Sequence, residues 1–469
     1  MRLIQQQAPS VQELPGVTEP IPIREWRGVN TFDPLSIDDA YLTDAVNMTT
    51  ADYPALAVRP GYTVLGGAIG GKVLGLGVWK DTELHAVFAD GTWRKWTGSA
   101  WSTLKSGLHT TTDWTFTNFQ GGWADINLVG VNGVDGMFRY DGSTVQLFGN
   151  APAGSSYVTT YQNRLWVAFG QEIRASKLDE PEIFDAFGGT DSDSYGKTIE
   201  TARGEDVIGL SAGLSRLTIA TPNSLLRLNG SLPSDFQTFP ITEDVGFASN
   251  KSAVTRDGEL SFIHQLGIYV YTGGMLPDRA FSEIVKGYQT GISQSAAGTD
   301  GDRLYYTLRP DVTLVYDPRS GIEAWSVYKG FTPTCYARMQ GRLYAGDAAG
   351  RVLRLEDGAD DAGQPISWRA VSKAFTSAAI ARRARWLKLW VVAEMAAGAT
   401  MHVYLSKSAA GDADWELMQS VTGTGAMEAQ RVIIPVGKYA LERIVRVKLE
   451  GTGWVRIHEL ARQVRKLSL

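Results

Sequence analysis

Short apolar runs, each ended by a turn, recur along most of the 469-residue chain. In the clearest of them, the apolar residues Met137, Phe138 and Tyr140 precede the pair Asp141-Gly142. An Asp-Gly pair between short apolar runs favours a β-hairpin, because glycine adopts a positive φ without steric cost. Runs of the same kind end at Trp96, Tyr140, Ala175, Leu228, Tyr271, Tyr316 and Leu355. The spacings between these ends, 44, 35, 53, 43, 45 and 39 residues, define a repeat of roughly 40–50 residues.

Each repeat contains a second predicted strand upstream of the first, usually directly after a turn. Examples are residues 164–169 and 303–307. This order of turns and strands is typical of an antiparallel meander, and one four-stranded meander cannot cover its own apolar faces. The repeats must therefore stack around an axis, and a period of this length is typical of a β-propeller. We count seven copies, but the copy at residues 172–176 is weak, so the prediction is a six- or seven-bladed propeller.

Two regions outside the repeats predict different structures. Residues 361–469 alternate apolar and polar positions with period two, most clearly in residues 386–390 and 444–449. Such alternation indicates strands with one buried and one solvated face, so we predict a C-terminal antiparallel β-sandwich. Residues 1–54 are predicted to form an extended N-terminal arm and linker. The all-β chain is thus divided into this arm, a β-propeller over residues 55–360 and a sandwich platform domain over residues 361–469.

The propeller is expected to close through its own N-terminal strand. Residues 55–66 are predicted to form a strand that leads into the repeats. If this strand is added to the last blade, the ring closes and has no exposed sheet edge. Two polar loops, residues 184–206 and 231–249, interrupt the rhythm of the repeats. Long loops in a repeat array commonly meet partners, so these segments are candidate contact sites.

Charge is unevenly distributed along the chain, although the net charge is only −5. Residues 366–469 contain 16 Lys and Arg against 8 Asp and Glu, a net charge of +8, so the remaining residues carry −13. An acidic body with a basic C-terminal region predicts contacts between subunits or with neighbouring proteins. The alternative is two ordinary solvated surfaces.

The sequence shows no signal for membrane insertion, secretion or disulfide formation. No run of 18 apolar residues is present, which predicts that nothing spans a membrane. Residues 1–10 lack the apolar stretch of a signal peptide. Cys335 is the only cysteine, so an internal disulfide framework is excluded. We therefore expect the protein to be made in a cytoplasm and to be held together by packing.

Motifs with catalytic or metal-binding potential are weak. Residues 90–93, Asp-Gly-Thr-Trp, share letters but not spacing with the boxes of sialidase propellers, so we interpret them as a hairpin turn. Residues 191–196 begin like a calcium loop, but the twelfth position is Ala202 rather than a bidentate glutamate, which favours a polar loop. The histidines are isolated from one another and from cysteine, which argues against a metal site. They are His85, His109, His264, His402 and His458.

Motifs for nucleotide binding and for an activated nucleophile are also missing from the sequence. We find no Walker loop, no Gly-x-Ser-x-Gly elbow and no dinucleotide fingerprint. The basic cluster at residues 382–385 is either a solvated strand entry or part of an interface with an acidic neighbour. We therefore predict no enzyme activity, no catalytic, cofactor-binding or metal-binding residues, and no cofactor.

The most distinctive sequence motif lies just before the repeats. It contains, in this order, Gly28-Val29-Asn30, Asp38-Asp39, Leu42, Asp44-Ala45, Asn47-Met48 and Arg59-Pro60-Gly61-Tyr62. This motif, with a predicted propeller after it, resembles the N-terminal part of bacteriophage tail nozzle proteins. That group includes the tail tubular protein B type of short-tailed phages and the related packaged-DNA stabilisation proteins. The motif covers a small part of the chain, and the repeats extend the resemblance to most of it.

The resemblance implies a structural virion protein of the phage tail. Family members form a homo-hexameric ring below the portal and adaptor, and the ring lumen is the DNA exit channel. The implied partners are further copies of the chain, portal-adaptor or other tail proteins, tail fibres, and packaged double-stranded DNA that passes without sequence-specific binding. An acidic lumen would suit this role, because negative charge repels phosphate.

Two other functions stay open at the level of sequence. A propeller of one or three copies could bind a bacterial surface glycan through aromatic residues on one face, as a receptor-binding tail protein would. A propeller glycosidase could assemble its carboxylates from different blades, which leaves no local motif. Free carbohydrate affinity would favour the first alternative, and polysaccharide turnover that depends on one clustered carboxylate would favour the second.

Overall fold

Seven antiparallel units of three or four strands, numbered here as blades 1–7, account for most of the described residues. The structure is a computed structural model that describes residues 20–213, 216–274, 276–319, 321–376, 383–411, 414–433, 439 and 442–466. Blades 1–4 each contain four strands that pair in chain order. Blade 1 consists of Val73–Trp79, Glu83–Phe88, Thr92–Trp96 and Trp101–Lys105, and blade 2 of Thr115–Phe119, Asn127–Val131, Met137–Tyr140 and Val145–Leu147. Blade 3 consists of Tyr157–Tyr161, Arg164–Phe169, Glu172–Ala175 and Tyr195–Thr198, and blade 4 of Gly209–Gly213, Arg216–Ala220, Leu225–Asn229 and Gln237–Thr242.

Blades 5–7 vary this plan. Blade 5 has three strands, blade 6 has four, and blade 7 takes its fourth strand from the N-terminal part of the chain. Blade 5 consists of Ala253–Arg256, Glu259–His264 and Gly267–Tyr271, and blade 6 of Ala296–Thr299, Leu304–Arg309, Val312–Asp317 and Ala324–Tyr328. Blade 7 consists of Pro333–Met339, Arg342–Asp347, Val352–Leu355 and Tyr62–Val64. In the part of the chain that the structure describes, the helical segments are the 3-10 helices Asn250–Ser252 and Ala280–Tyr288. Among the described residues, no helix is long and apolar enough to cross a membrane.

The blades form a closed ring. The first strand of each blade contacts the first strand of the next, and the first strand of blade 7 contacts that of blade 1. The second strands are almost entirely buried, as Arg164–Phe169 shows, and therefore read as continuous apolar runs in the sequence. The predictions of an all-β chain and of a β-propeller are confirmed.

An N-terminal strand closes the ring, but a shorter one than the sequence suggested. Tyr62–Val64 pairs with Val352–Leu355 and completes blade 7. Leu56–Val58, which we expected to belong to the same closing strand, pairs instead with a C-terminal strand, Val455–Lys466. The chain changes direction at Gly61, where a Cβ atom would lie 1.7 Å from the carbonyl oxygen of Asp360, so only glycine fits this approach.

The N-terminal region differs from the arm and linker predicted for residues 1–54. Residues 1–19 lie outside the described part of the chain, and Ile21–Ile23 pairs with Val455–Lys466 of the same chain. Leu42–Val46 lies between Ala324–Tyr328 of blade 6 and Ser367–Ser372. Most of this region is therefore integrated into the sheets. The reason is that its apolar side chains, among them Leu42, Ala45 and Met48, are buried in the common core.

The C-terminal region contributes to two sheets. One has the order Met48–Thr49, Leu56–Val58, Val455–Lys466, Ala384–Met395 and Met427–Ile433. The other continues blade 6 through Leu42–Val46, Ser367–Ser372, Ile444–Thr452, Thr400–Ser406 and Glu416–Thr422. The short strand Phe375–Thr376 pairs with Ile444–Thr452. The short strands Asp360–Asp361 and Gln364–Pro365 pair with each other beside blade 7. Buried residues of both sheets, such as Leu389 and Val447, share one hydrophobic core with Trp325 of blade 6, so the propeller and the C-terminal sheets pack as one body.

The two long polar loops predicted from the sequence each contain a strand. Tyr195–Thr198 lies within residues 184–206, and Gln237–Thr242 lies within residues 231–249. Both are outermost strands of their blades and are largely exposed. Their lack of an apolar run is the reason that the sequence pattern did not indicate strands there.

Candidate functional site

The residues of the N-terminal motif lie together where the propeller meets the C-terminal sheets. Leu42–Val46 runs parallel to the last strand of blade 6 and antiparallel to Ser367–Ser372. Beside it, Gly28 pairs with Trp325 and Val29 pairs with Leu42. We call residues 28–62 and their contacts the junction. The junction is the candidate functional site, because it is where the polar residues of the motif contact one another.

Arg59 is the central side chain of the junction and is only 2% exposed. Its guanidinium donates to both carboxylate oxygens of Asp361, at 2.8 and 2.7 Å. It also donates to the carbonyl oxygens of Pro60 and Lys329 and to Oδ1 of Asn47, each at 2.9 Å. All five N–H groups of the guanidinium therefore have an acceptor, which is the condition under which a buried arginine is stable.

Asn47 connects three parts of the chain. Its Oδ1 accepts hydrogen bonds from Nε of Arg59 and from the backbone N–H of Lys329, and its Nδ2 donates to the carbonyl oxygen of Ser367 at 2.8 Å. Its own backbone N–H donates to Val327 at 2.7 Å. The φ of +57° is a left-handed conformation that asparagine tolerates better than most residues. The side chain suits this place because it is both donor and acceptor.

A glycine of the motif permits a close approach of two backbones. Gly28 has a φ of +73°, and a Cβ atom there would lie 2.3 Å from the carbonyl oxygen of Trp325. That same oxygen accepts a hydrogen bond from the N–H of Val29 at 2.9 Å. The motif residues are therefore required for the joint itself, and the arrangement contains backbone contacts and a satisfied ion pair rather than a nucleophile and a base.

Aspartates of the N-terminal region neutralise part of the basic C-terminal region. The ion pairs are Asp39 with Arg462 and Lys373, Asp44 with Arg369, and Asp52 with Arg456. Burial opposes ionisation of Asp39, but the neighbouring Arg462 and Lys373 hold the pKa of that carboxyl below its ordinary value. Some of the charge asymmetry that the sequence shows is thus balanced within the chain.

The loop at residues 176–194, between the third and fourth strands of blade 3, is folded around the buried guanidinium of Arg164. Nη1 of Arg164 donates to the carbonyl oxygens of Ser176 and Asp193, and Nη2 donates to that of Asp191 at 2.8 Å. An arginine therefore occupies the place, among backbone carbonyls, that a cation would take in a calcium loop. This geometry favours the interpretation of residues 191–196 as a polar loop.

An ion-pair cluster lies across the central opening of the propeller. Nζ of Lys251, just before blade 5, contacts Oδ1 of Asp113, just before blade 2, at 2.9 Å. Nζ of Lys72 contacts the same oxygen at 2.9 Å. Burial opposes ionisation of Asp113, but the two lysines hold the pKa of its carboxyl below the ordinary value. Lys251 also lines a central cavity of about 340 Å³, which has room for a small molecule and not for a DNA duplex.

The five histidines lie in separate environments. His85 and His264 are buried, and burial lowers the pKa of each imidazole. His109, His402 and His458 are half-buried. Among the described residues, no group of three or more His, Cys, Asp or Glu side chains is placed to hold a metal ion.

Residues 90–93 form a tight turn before the third strand of blade 1. The Asp90 carboxylate accepts hydrogen bonds from the backbone N–H and the hydroxyl of Thr92, at 3.0 and 2.6 Å. Trp93 is fully buried, and its Nε1 donates to Nδ1 of His85 at 3.1 Å. These residues therefore stabilise blade 1, and His85 becomes a buried acceptor with a neutral ring.

We expect His85 to make the protein sensitive to acid. Burial, with a smaller effect of Lys95, lowers the pKa of His85 to about 3. The unfolded chain takes up a proton near pH 6.5 and the folded chain only near pH 3, so this stability is complete above pH 6.5 and is lost as the pH falls. The expected loss is about 2–3 kcal/mol at pH 4.5.

Urea unfolding between pH 7.5 and 4.5, followed by tryptophan fluorescence, measures this effect. In His85→Asn the acid-induced loss should shrink by that amount, because asparagine accepts the Trp93 hydrogen bond without titrating. His402→Asn is the matched control, since that ring is half-buried. Equal pH dependence in the wild type and His85→Asn would contradict the assignment.

A cleft of about 350 Å³ between blades 6 and 7 is the best place to look for paired carboxylates. Asp300 and Glu356 line it. Both contact Nη2 of Arg303, at 3.3 and 2.9 Å, and both accept a hydrogen bond from the hydroxyl of Tyr305, at 2.9 and 3.1 Å. These carboxylates are held by an arginine and a tyrosine of their own chain, which gives them a structural role.

Comparison with known proteins gives similarity of fold only. No family model and no curated protein matches the chain. Among solved structures, a catalytically inactive virginiamycin B lyase from Staphylococcus aureus, crystallised with quinupristin, has 11% identity and a TM-score of 0.45 over 63% of this chain and 98% of that one. The WD40 domain of Pan2 from Neurospora crassa has 8% identity and a TM-score of 0.44 over 63% and 95%.

A third similar structure is larger than the present chain. It is the extracellular domain of a putative one-component system from B. thetaiotaomicron, with 9% identity and a TM-score of 0.45. The match covers 88% of this chain and 63% of that one. At these identities and TM-scores, the comparison assigns no reaction to this protein. The fold and the junction together define a β-propeller that is extended by C-terminal sheets.

Proposed function

We propose that this protein is a structural component of a phage virion, the tail nozzle of a short-tailed phage. In this proposal, copies of the chain form a homo-hexameric ring whose lumen continues the DNA exit channel. The ring helps to retain the packaged genome until ejection and lets it pass afterwards. The protein has no catalytic role here. The observation that carries the proposal is that the motif residues resembling nozzle proteins form the joint between propeller and C-terminal sheets.

A mechanical role agrees with the construction of the junction. Arg59, Asn47 and Asp361 form a buried network in which all five N–H groups of the Arg59 guanidinium have an acceptor. Such a network favours one fixed arrangement of its parts over alternatives. A conduit wall needs this property, because it must keep its shape against the pressure of packaged DNA.

The proposed channel lies between copies of the protein. Within one copy, Lys251 and Asp113 meet across the central opening of the propeller, which leaves no path for a duplex. The acidic balance of residues 1–365 supports a lumen that repels phosphate, so that DNA slides without adhering. The proposed neighbours are the portal-adaptor and other tail proteins, with tail fibres on the C-terminal side.

Negative-stain electron microscopy of the purified protein tests this proposal. We expect six-fold rings with a central hole wide enough for a duplex, and the same ring at the end of a short tail in virions. Particles of one or three propellers that bind bacterial glycans would favour a receptor-binding protein instead. A ring whose lumen is lined mainly by Lys and Arg would contradict the proposed sliding mechanism.

A further inference from the structure

The loop at residues 176–194 presents acidic and aromatic side chains to solvent. It contains six Asp and Glu and one Lys, a net charge of −5. Phe187 at its tip is 63% exposed, and Asp185 and Asp191 beside it are exposed as well. We call this segment the acidic loop. An exposed phenylalanine in a charged loop is typical of a contact surface, because it gains buried area on binding.

The acidic loop has a fixed shape. The buried guanidinium of Arg164 binds four of its backbone carbonyls, and the side chain of Asp193 accepts hydrogen bonds from Thr190. A loop that is ordered in advance loses little conformational entropy when it binds. Its exposed residues are thus displayed on a rigid support.

A basic surface lies at one end of the C-terminal sheets. Arg383 and Arg443 are exposed, and Arg385 is half-buried. They are neighbours, because Ala384 and Glu442 exchange two backbone hydrogen bonds, at 2.9 and 3.1 Å. We call these three arginines the basic edge; Arg382 of the predicted cluster lies outside the described residues. The nearby Glu442 carboxylate is bound by Lys407 at 2.6 Å, and no Asp or Glu in the described part of the chain forms an ion pair with the three arginines.

The acidic loop and the basic edge are on opposite sides of the molecule. The loop belongs to blade 3, whereas the C-terminal sheets are attached at blades 6 and 7. In a closed ring of seven sheets, blades 6 and 7 are each three steps from blade 3, one in either direction. The two surfaces therefore cannot meet within one chain, but they can meet between two chains.

We propose that the acidic loop of one copy docks on the basic edge of the next copy. The three arginines face the carboxylates of the loop, and Phe187 packs against a guanidinium face. Because the two surfaces are different, the contact is head-to-tail, and head-to-tail contacts close into rings when the rotation permits. This inference deepens the proposed function, since it names the contact that would build the nozzle ring.

Complementary charge reversal tests the contact. The loop variant carries Asp185→Lys and Asp191→Lys, and the edge variant carries Arg383→Glu and Arg443→Glu. We expect each variant alone to need about tenfold or more protein to assemble, measured by light scattering after size-exclusion chromatography. An equimolar mixture of the two should assemble again, because in an alternating ring the new lysines of one variant face the new glutamates of the other, and the original aspartates face the original arginines.

A control variant with Asp244→Lys and Asp302→Lys changes two exposed carboxylates elsewhere on the propeller and should assemble like the wild type. Near-UV circular dichroism verifies that each variant is folded. Variants that still assemble, or a mixture of folded variants that stays monomeric while the wild type forms rings, would refute this contact and leave the proposed function standing. A wild type that is monomeric at all accessible concentrations would overturn both.

Discussion

Replacement of Arg59 by methionine is expected to lower the free energy of unfolding by about 3–5 kcal/mol. The guanidinium is 2% exposed and donates to the Asp361 carboxylate, the Lys329 carbonyl and Asn47 Oδ1. Methionine matches the length of the side chain but donates nothing. It therefore leaves a carboxylate that is largely buried without its counter-charge, which is the costly form of a broken ion pair.

Thermal and urea unfolding of the variant measure this loss. Arg24→Met is a matched control, because the Arg24 side chain is 70% exposed in its ion pair with Glu459 and should contribute less than about 1 kcal/mol. The double variant Arg59→Met with Asp361→Leu should recover part of the stability, since it removes the isolated charge. A loss in Arg59→Met no larger than that in Arg24→Met would show that the junction does not depend on Arg59.

Replacement of Arg164 by methionine is expected to cost about 2–4 kcal/mol and to release the acidic loop. Four backbone carbonyls of that loop, those of Ser176, Asp191, Ser192 and Asp193, would lose the donor that holds them. The carbonyl oxygens can recover partners only by turning toward water, so the loop must leave its present conformation. Protease cleavage between residues 176 and 194 should therefore become faster than cleavage elsewhere.

Limited proteolysis with mass spectrometry locates the cleavage, and urea unfolding gives the free energy. Arg174→Met serves as control in the same blade, because Arg174 is half-exposed and pairs with Glu172 at 3.3 Å on the surface. If the acidic loop docks as proposed, Arg164→Met should also weaken assembly, whereas Arg174→Met should not. A loop in Arg164→Met that resists protease as in the wild type would contradict its anchoring by Arg164.

The repeat pattern made the propeller predictable from sequence. Third strands such as Met137–Tyr140 end at tight turns, and second strands such as Arg164–Phe169 are buried on both faces, so both leave a local trace of apolar residues. Fourth strands such as Tyr195–Thr198 face solvent and leave none. Burial, rather than strand formation as such, is what an apolar pattern reports.

Long-range pairing explains what the sequence could not indicate. Leu42–Val46 looks like a short segment of a linker, because its partners are about 280 and 330 residues away in blade 6 and at Ser367–Ser372. The role of Arg59 was hidden for the same reason, since Asp361 lies 302 residues later. Arg164 follows an ordinary turn, and its sequence neighbours give no sign that the loop beginning 12 residues later folds around it.

The order of synthesis has a consequence for this architecture. Tyr62–Val64 leaves the ribosome early, yet its partner Val352–Leu355 is made nearly 290 residues later, and Leu56–Val58 waits for Val455–Lys466. One edge of each of these early strands therefore remains unpaired until its distant partner has been translated. A product terminated before Val352–Leu355 would expose the edge of Tyr62–Val64 to other chains, so closure of the ring protects this edge from unwanted pairing.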